Sequence, residues 1–353
     1  MARNTSQEEQ DVKWMRRAVR LARNGLGTVS PNPLVGAVII RDGVLLGEGW
    51  HDRPGSPHAE INALASLRSP ELARGATIYV TLEPCCTFGR TPPCCEAILS
   101  AGFARVVAGC VDPNPKHAGR GLEYLRSSGV EVTEGVCREA CEELNESFFK
   151  WIRTKRPFVL LKMAETLDGR IATASGSSRW ITGPEARKHV MKLRLWADAV
   201  LAGANTWRLD SPSFTARTPE GAILKTPRRF IAFRKPLALP EGWETVKLDS
   251  PADWETFLVR LGAEDVTSLL LEGGGELAAS ALRAGVVDKA EFHIAPKILG
   301  GRGSRPSVGG ADPESIGEAL ELKNMRVRHA GCDLIVTGYP AKGRGGKAEC
   351  SRG

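Results

Sequence analysis

The chain has 353 residues, 42% hydrophobic and 25% charged, enough for two domains that each bury a core. It has no apolar run of the ~20 residues a membrane span needs, and Met1-Ala2-Arg3-Asn4-Thr5-Ser6 leads into charged residues rather than an apolar export signal; a cytoplasmic protein with no membrane partner is expected. Net charge is +7, and the tail after Pro340 holds Lys342, Arg344, Lys347 and Arg352 against Glu349; the resulting +3 leaves +4 on the body, with no basic stripe for nucleic acid but enough for a small anionic ligand such as a phosphate ester.

Ser6-Gln7-Glu8-Glu9 has the form of a capping box. It predicts a helix in which Trp14, Ala18, Leu21 and Ala22 recur at helical spacing and which Pro31 and Pro33 end. Val35 to Ile40 and Val44 to Glu48 read as strands joined at Asp42-Gly43, a favoured hairpin turn. A helix over Ala59–Leu67, a strand over Thr77–Leu82 and a helix over Cys94–Ala101 follow. Next come a strand at 106–109, a helix near Leu122–Ser127 and a strand near Val130. This alternation predicts a three-layer α/β domain over residues 1–154.

A second α/β domain is expected over 155–340, with 341–353 a disordered Gly-rich basic tail. Phe158 to Met163 is a buried-strand run followed by a turn at Asp168-Gly169. Thr182-Gly183-Pro184 opens a helix through Trp196, with proline in its favoured first turn. Ala199–Ala202, Arg229–Ala232 and Ser268–Leu271 are strand candidates. Glu272-Gly273-Gly274-Gly275 joins the last of these to a helix running to about Ala284. No internal repeat at a fixed period is present.

Four of nine cysteines crowd at 85, 86, 94 and 95, which favours a metal site over disulfides. They follow Pro57-His58-Ala59-Glu60, in an order that suits zinc held by one His and two Cys, with a fourth position left for water. A glutamate two residues after the histidine can move that water's proton, as in zinc nucleobase deaminases. His58 and Cys94 each begin a helix after proline, and a helix N-terminus favours the thiolate zinc needs. Cys85/Cys94 and Cys86/Cys95 are equally spaced, so spacing does not choose between them. Recruitment of Cys86 or Cys95 as a fourth ligand would make the zinc structural. The triple glycine is a plausible cradle for cofactor phosphates.

These residues together resemble the bifunctional deaminase/reductase family of riboflavin biosynthesis. The likeness is carried by Pro57-His58-Ala59-Glu60, by Glu83-Pro84-Cys85 with Gly89-Arg90-Thr91-Pro92-Pro93-Cys94, and by Asn32-Pro33-Leu34-Val35-Gly36. Asp112-Pro113-Asn114-Pro115 and Ala118-Gly119-Arg120-Gly121 extend it downstream. It continues through Lys162 to Ala172, Arg179-Trp180-Ile181-Thr182, Gly203-Ala204-Asn205-Thr206, Phe214 to Arg217, Glu272-Gly273-Gly274 and Ala295 to Gly300, and so covers the chain to about Pro340.

The resemblance implies a cytidine-deaminase-like first domain and a dihydrofolate-reductase-like α/β second domain. It assigns zinc to His58, Cys85 and Cys94, proton transfer to Glu60, and substrate contacts to Asn32, His51, Arg90, Asp112 and Asn114. In the second domain it places substrate at Lys162, Ser178, Arg194, Phe214, Arg217 and Glu272, and NADPH at Ala164, Trp180, Thr206, Asp210, Gly273, Gly274 and Gly275. It implies hydrolytic deamination of a diaminopyrimidinone ribosylamine phosphate, then reduction of its ribosyl group to ribityl, by a homodimer or higher homo-oligomer. The chain departs from the family at Thr87, where a His is common, at Asp210-Ser211-Pro212, and at Phe233-Arg234-Lys235, where a strand-ending Asp is usual. Arg234 and Lys235 are expected to meet the cofactor's 2′-phosphate. A tRNA adenosine deaminase would share the metal logic but would not need the second domain.

Overall fold

The computed structural model describes residues 2–87, 92–233 and 239–341. The chain forms two compact units, 1–156 with 265–267, and 157–264 with the residues from 268 on.

The first unit runs α1 (Ala2–Ala22), β1 (Gly36–Arg41), β2 (Val44–Trp50), α2 (Ala59–Ala65), β3 (Thr77–Leu82), α3 (Cys94–Ala101), β4 (Arg105–Cys110), α4 (Arg120–Ser127), β5 (Glu131–Glu134), α5 (Arg138–Leu144) and α6 (Glu146–Thr154). α1 begins upstream of Ser6, which therefore lies inside the helix and caps nothing. Residues 2 to 5 contain no Gly or Pro to prevent this. The helix also stops at Ala22, ahead of Pro31 and Pro33, and gives way to a 3-10 turn over Arg23–Gly25.

The strands order as β2-β1-β3-β4-β5. β1 is antiparallel to β2 and β3, while β3, β4 and β5 are parallel. Asp42 and Gly43 both have positive φ (54° and 75°), as the tight turn between β1 and β2 requires. α1 and α5 pack on one face, α2, α3 and α4 on the other. The buried run Ala37, Val38, Ile39, Ile78, Val80, Val106 and Val107 is the centre of this sandwich, because strands covered on both faces read as continuous apolar runs.

The second unit runs β6 (Phe158–Thr166), β7 (Arg170–Ala172), α7 (Pro184–Trp196), β8 (Ala199–Gly203), α8 (Ala204–Asp210), β9 (Ala216–Arg217), β10 (Ile223–Lys225), β11 (Arg228–Ala232), β12 (Trp243–Val246), α9 (Pro251–Ala263), β13 (Ser268–Glu272), α10 (Gly275–Arg283), β14 (Lys289–Ala295), β15 (Arg305–Pro306), β16 (Leu322–Ala330) and β17 (Asp333–Pro340). Its eight-stranded sheet has the order β12-β11-β8-β13-β6-β14-β17-β16. The first six of these are parallel, and β17 and β16 close the edge as an antiparallel hairpin. Parallel strands all present their C-terminal ends to one rim, where open α/β sheets bind ligands.

Candidate active sites

In the first unit three side chains from three elements converge. His58 caps the N-terminus of α2, Cys94 is the first residue of α3 after Pro93, and Cys85 lies in the turn that follows β3. His58 Nδ1 is 3.2 Å from Cys94 Sγ and 3.5 Å from Cys85 Sγ. Zinc bonds of ~2.0–2.1 Å to nitrogen and ~2.3 Å to sulfur place tetrahedral N and S ligands about 3.5 Å apart, so the donor set fits this ion. The Cys94 backbone N–H also donates to Cys85 Sγ at 3.3 Å. The Cys85 thiol is pushed down to about 4, first by its hydrogen bond with the Cys94 thiol and then by His58. Cys94 is pushed up, since the two sulfurs share one proton.

The other cysteine of each pair points elsewhere. Cys95 Sγ faces the carbonyls of Pro84 and Gly121, and Cys86 Sγ lies 3.9 Å from His117 Nδ1. Among the described residues the metal-competent group here is His58, Cys85 and Cys94 alone, an arrangement with three protein ligands rather than the closed four of a structural site.

Glu60, in the first turn of α2, is buried. Burial, then the negative charge at Cys85, pushes its carboxyl up to about 7. A group poised there can both take and return a proton near neutral pH. His51 packs edge-on to the His58 ring at 5.3 Å and contacts Asn32 Nδ2 through Nε2 at 2.9 Å and the Pro57 carbonyl through Nδ1 at 3.1 Å. His51 therefore borders the metal donor His58, with Asn32 beside it. Arg90 lies outside the described residues.

Asp112 and Asn114 sit on the loop after β4, where Asp112 Oδ1 accepts the Asn114 backbone N–H at 2.8 Å. That loop is held by Glu83, known from the sequence only as part of the Glu83-Pro84-Cys85 motif and without a role of its own. Buried Glu83 accepts N–H groups of Gly121 on Oε1 at 2.8 Å and of Asp112 and Gly119 on Oε2 at 3.0 and 2.8 Å. A carboxylate directly after a buried strand was the available signal, since such a group must find donors. At Gly121 a Cβ would lie 2.2 Å from the Pro84 carbonyl oxygen.

In the second unit a cavity of about 710 Å³ opens at the C-terminal rim of the sheet, within the range of ligand pockets. Lys162, Ala164, Ser178, Thr206, Asp210, Phe214 and Glu272 through Gly275 all line it. Gly273 and Gly274 adopt φ of +81° and +87°, which side-chain-bearing residues rarely take. A Cβ on Gly275 would meet the Pro306 carbonyl oxygen at 2.6 Å. This turn opens α10 with bare backbone towards the cavity, a fit for the phosphates of a dinucleotide. Asn205, Arg208 and Arg305 also line the wall; of these only Asn205 belongs to a motif that carries the family resemblance, and none of the three was expected at the site.

Three expected residues stand off that wall. Arg194, on α7, makes a bidentate pair with Glu272 through Nε at 2.7 Å and Nη2 at 2.8 Å. Arg217 Nε donates to Thr215 Oγ1 at 2.7 Å, and Trp180 is exposed with the Arg187 guanidinium over its ring. Burial pushes the Glu272 carboxyl up, but Arg194 and Lys162 outweigh it and leave the group below the ordinary range. Phe233 and Asp249 line the far end of the cavity. Arg234 and Lys235, expected at the 2′-phosphate, lie outside the described residues, as does the tail from 342.

Residues 157–336 match the family described as the RibD C-terminal domain, and residues 8–110 match the cytidine and deoxycytidylate deaminase zinc-binding region. The riboflavin biosynthesis protein RibD of Actinobacillus pleuropneumoniae is 40% identical, over 92% of this chain and 94% of the relative. That of Escherichia coli strain K12 is 39% identical, over 93% and 98%. Among solved structures, RibD of Acinetobacter baumannii superposes with a TM-score of 0.83 at 36% identity, covering 95% of this chain and 100% of the other. A diaminohydroxyphosphoribosylaminopyrimidine deaminase/5-amino-6-(5-phosphoribosylamino)uracil reductase from Thermotoga maritima gives the same TM-score, identity and coverage.

Proposed function

The chain belongs to the RibD family, the bifunctional deaminase/reductases of riboflavin biosynthesis, and from this we propose how its residues divide the two reactions. The first unit is a zinc-binding deaminase domain and the second a reductase domain. The substrate is 2,5-diamino-6-(5-phosphoribosylamino)pyrimidin-4-one, which the first domain deaminates hydrolytically and the second reduces to 5-amino-6-(5-phosphoribitylamino)uracil. The observation that carries this reading is the convergence of His58, Cys85 and Cys94 beside a buried Glu60.

His58, Cys85 and Cys94 would hold the zinc, which when bound would supply the Lewis acidity that activates water near neutral pH. Glu60 takes the proton of the attacking water and returns it to the departing amine, so one carboxylate serves as base and then acid. Asn32 and His51 orient the pyrimidine, while the Glu83-braced loop brings up Asp112 and Asn114. Arg90 is assigned to the substrate phosphate, as a bidentate donor.

In the second domain the cofactor is a nicotinamide, which we take to be NADPH; it supplies the hydride. The turn Gly273-Gly274-Gly275 with Thr206 receives its phosphates, and Ala164 and Asp210 flank it. Trp180 is assigned to the rim of the cofactor site. Lys162, Ser178, Phe214 and Glu272 face the ribosyl group, and positioning C1′ against the ring is the protein's main contribution. Arg194 reaches the substrate through Glu272, and Arg217 is assigned to the substrate phosphate.

Cytoplasmic residence agrees with the cysteines, which are all free thiols among the described residues. Assembly into a homodimer or higher homo-oligomer is testable by light scattering. The decisive experiment supplies the diaminopyrimidine phosphate with and without NADPH. A product one deamination away without NADPH, and the ribityl aminouracil with it, is expected. Return of the starting material in both would overturn the assignment, and inosine formed on tRNA would redirect it.

A further inference from the structure

Beneath α7, charged side chains line up across the sheet of the second unit. Lys162 on β6, which lines the cavity, is registered with Glu272 on β13 and with Glu291 on β14. α7 reaches both carboxylates, with Arg194 on Glu272 and His189 Nε2 at 2.8 Å from Glu291 Oε1. His293, fully buried two residues beyond Glu291 on the same face, brings its Nε2 to 2.6 Å from the same oxygen. Glu272 and Glu291 are thus the two anions flanking Lys162 in the sheet, the first clamped by Arg194 and the second held by the two imidazoles.

Two imidazoles and a carboxylate are also a metal-ligand set. Their separations of 2.6 and 2.8 Å are direct hydrogen bonds, tighter than the ~3.3 Å kept by ligand atoms around an ion with bonds of ~2.0–2.1 Å. Arg328 Nη2 on β16 lies 2.8 Å from His189 Nε2, so a guanidinium already contacts one of the three candidate ligand atoms. A ring nitrogen either donates or accepts. His189 Nε2 therefore serves either as donor to Glu291 or as acceptor from Arg328, never both at once.

We propose that His189, Glu291 and His293 form a proton-holding cluster that serves as the counter-ion of Lys162 in the cavity. These are positioning residues for the reductase step, and the inference rests on the reductase reading above. The groups facing the cluster are Lys162 from β6, Glu272 from β13, Arg194 from α7, and Arg326 and Arg328 from β16. Burial lowers the Lys162 amine, and Glu272 and Glu291 pull it back up. The His189 side chain is 20% exposed, which gives the cluster its contact with water.

The test uses the full chain with the aminouracil ribosyl phosphate and NADPH across pH. Glu291→Gln is expected to move the alkaline limb of reduction down by about one pH unit, because Lys162 loses an anion that favours its charged form. Glu291→Asp should keep the wild-type limb, with deamination unchanged in both. In the ligand-free protein, far-downfield imidazole proton resonances are expected and should vanish in Glu291→Gln; His189→Gln should remove one of them. Zinc analysis should give one ion per chain. An unmoved alkaline limb, resonances unaffected by both variants, or a second zinc lost in Glu291→Gln would overturn the cluster. A wild-type protein that fails to consume NADPH with this pyrimidine sinks the reductase reading instead, and the resonances and zinc count still decide the cluster.

Discussion

Arg194 grips Glu272 with two parallel hydrogen bonds, Nε to Oε1 at 2.7 Å and Nη2 to Oε2 at 2.8 Å, with both side chains largely out of water. An arginine that the family resemblance assigns to the substrate is here the clamp on a cavity carboxylate. Lysine cannot reproduce the fork. Arg194→Lys should lower kcat/KM of reduction by about tenfold or more, a cost of at least ~1.4 kcal/mol. Deamination by the same chain should hold within about twofold, the resolution of such a comparison. An unchanged reductase rate would assign the pair to stability alone.

Glu60→Gln removes the proton carrier and leaves all three metal donors. Deamination should fall by roughly 10²–10⁴-fold, the usual weight of a general acid–base. Zinc content and NADPH consumption on the preformed aminouracil should persist. Ammonia released at the wild-type rate would remove Glu60 from the mechanism.

Gly121→Ala tests the approach of the substrate loop to the metal turn. Its Cβ would lie 2.2 Å from the Pro84 carbonyl oxygen and 3.2 Å from Glu83 Oε1, so backbone must shift, at about 1–3 kcal/mol as for other overpacked sites. We expect a raised KM for the diaminopyrimidine and a lower Tm of the first unit, read by calorimetry. Reductase kinetics should stay put.

Asp11 gives a pH dependence of stability. Its carboxylate receives Arg105 Nη1 and Nη2 at 2.9 and 2.7 Å and the Tyr79 hydroxyl at 2.8 Å. Burial pushes the group up, but Arg105 and Tyr79 prevail and the pKa ends below the ordinary aspartate value. A lowered carboxylate stabilises fully above the unfolded-state value of about 3.9, and that contribution is lost as pH falls through the folded-state value. Asp11→Asn should cost about 3–5 kcal/mol at pH 7, as for a broken buried pair. In urea titrations the gap to wild type should narrow below about pH 4; a gap independent of pH would refute the ionic account.

Elements bounded by strong local chemistry were legible in the sequence. Cys94–Ala101 starts after two prolines and ends at Gly102 in the left-handed conformation, and α7 starts on Pro184; both agree with expectation. The start of α1 was not, because Ser6 has capping chemistry but nothing upstream stops the helix. The β16–β17 hairpin was missed as well. β16 reads Leu-Lys-Asn-Met-Arg-Val-Arg-His-Ala and is exposed along most of its length, with an apolar alternation confined to Met325-Arg326-Val327-Arg328, too short to mark a nine-residue strand. In the site, the candidate metal donors were legible because their chemistry is dictated by residue type, and the fold brings His58, Cys85 and Cys94 together. Which cysteine of each doublet turns inward, and that Arg194 answers Glu272 across 78 positions, depend on packing that no local pattern encodes.

Glu83 stands two residues before Cys85, and its carboxylate suspends the loop of Asp112, Gly119 and Gly121. One short turn after β3 therefore carries both a metal donor and the hook for the substrate loop. Release of an ion from Cys85 is therefore expected to slacken that loop, and faster amide exchange at Asp112, Gly119 and Gly121 on chelation, in the absence of any substrate, is the measurement that checks it.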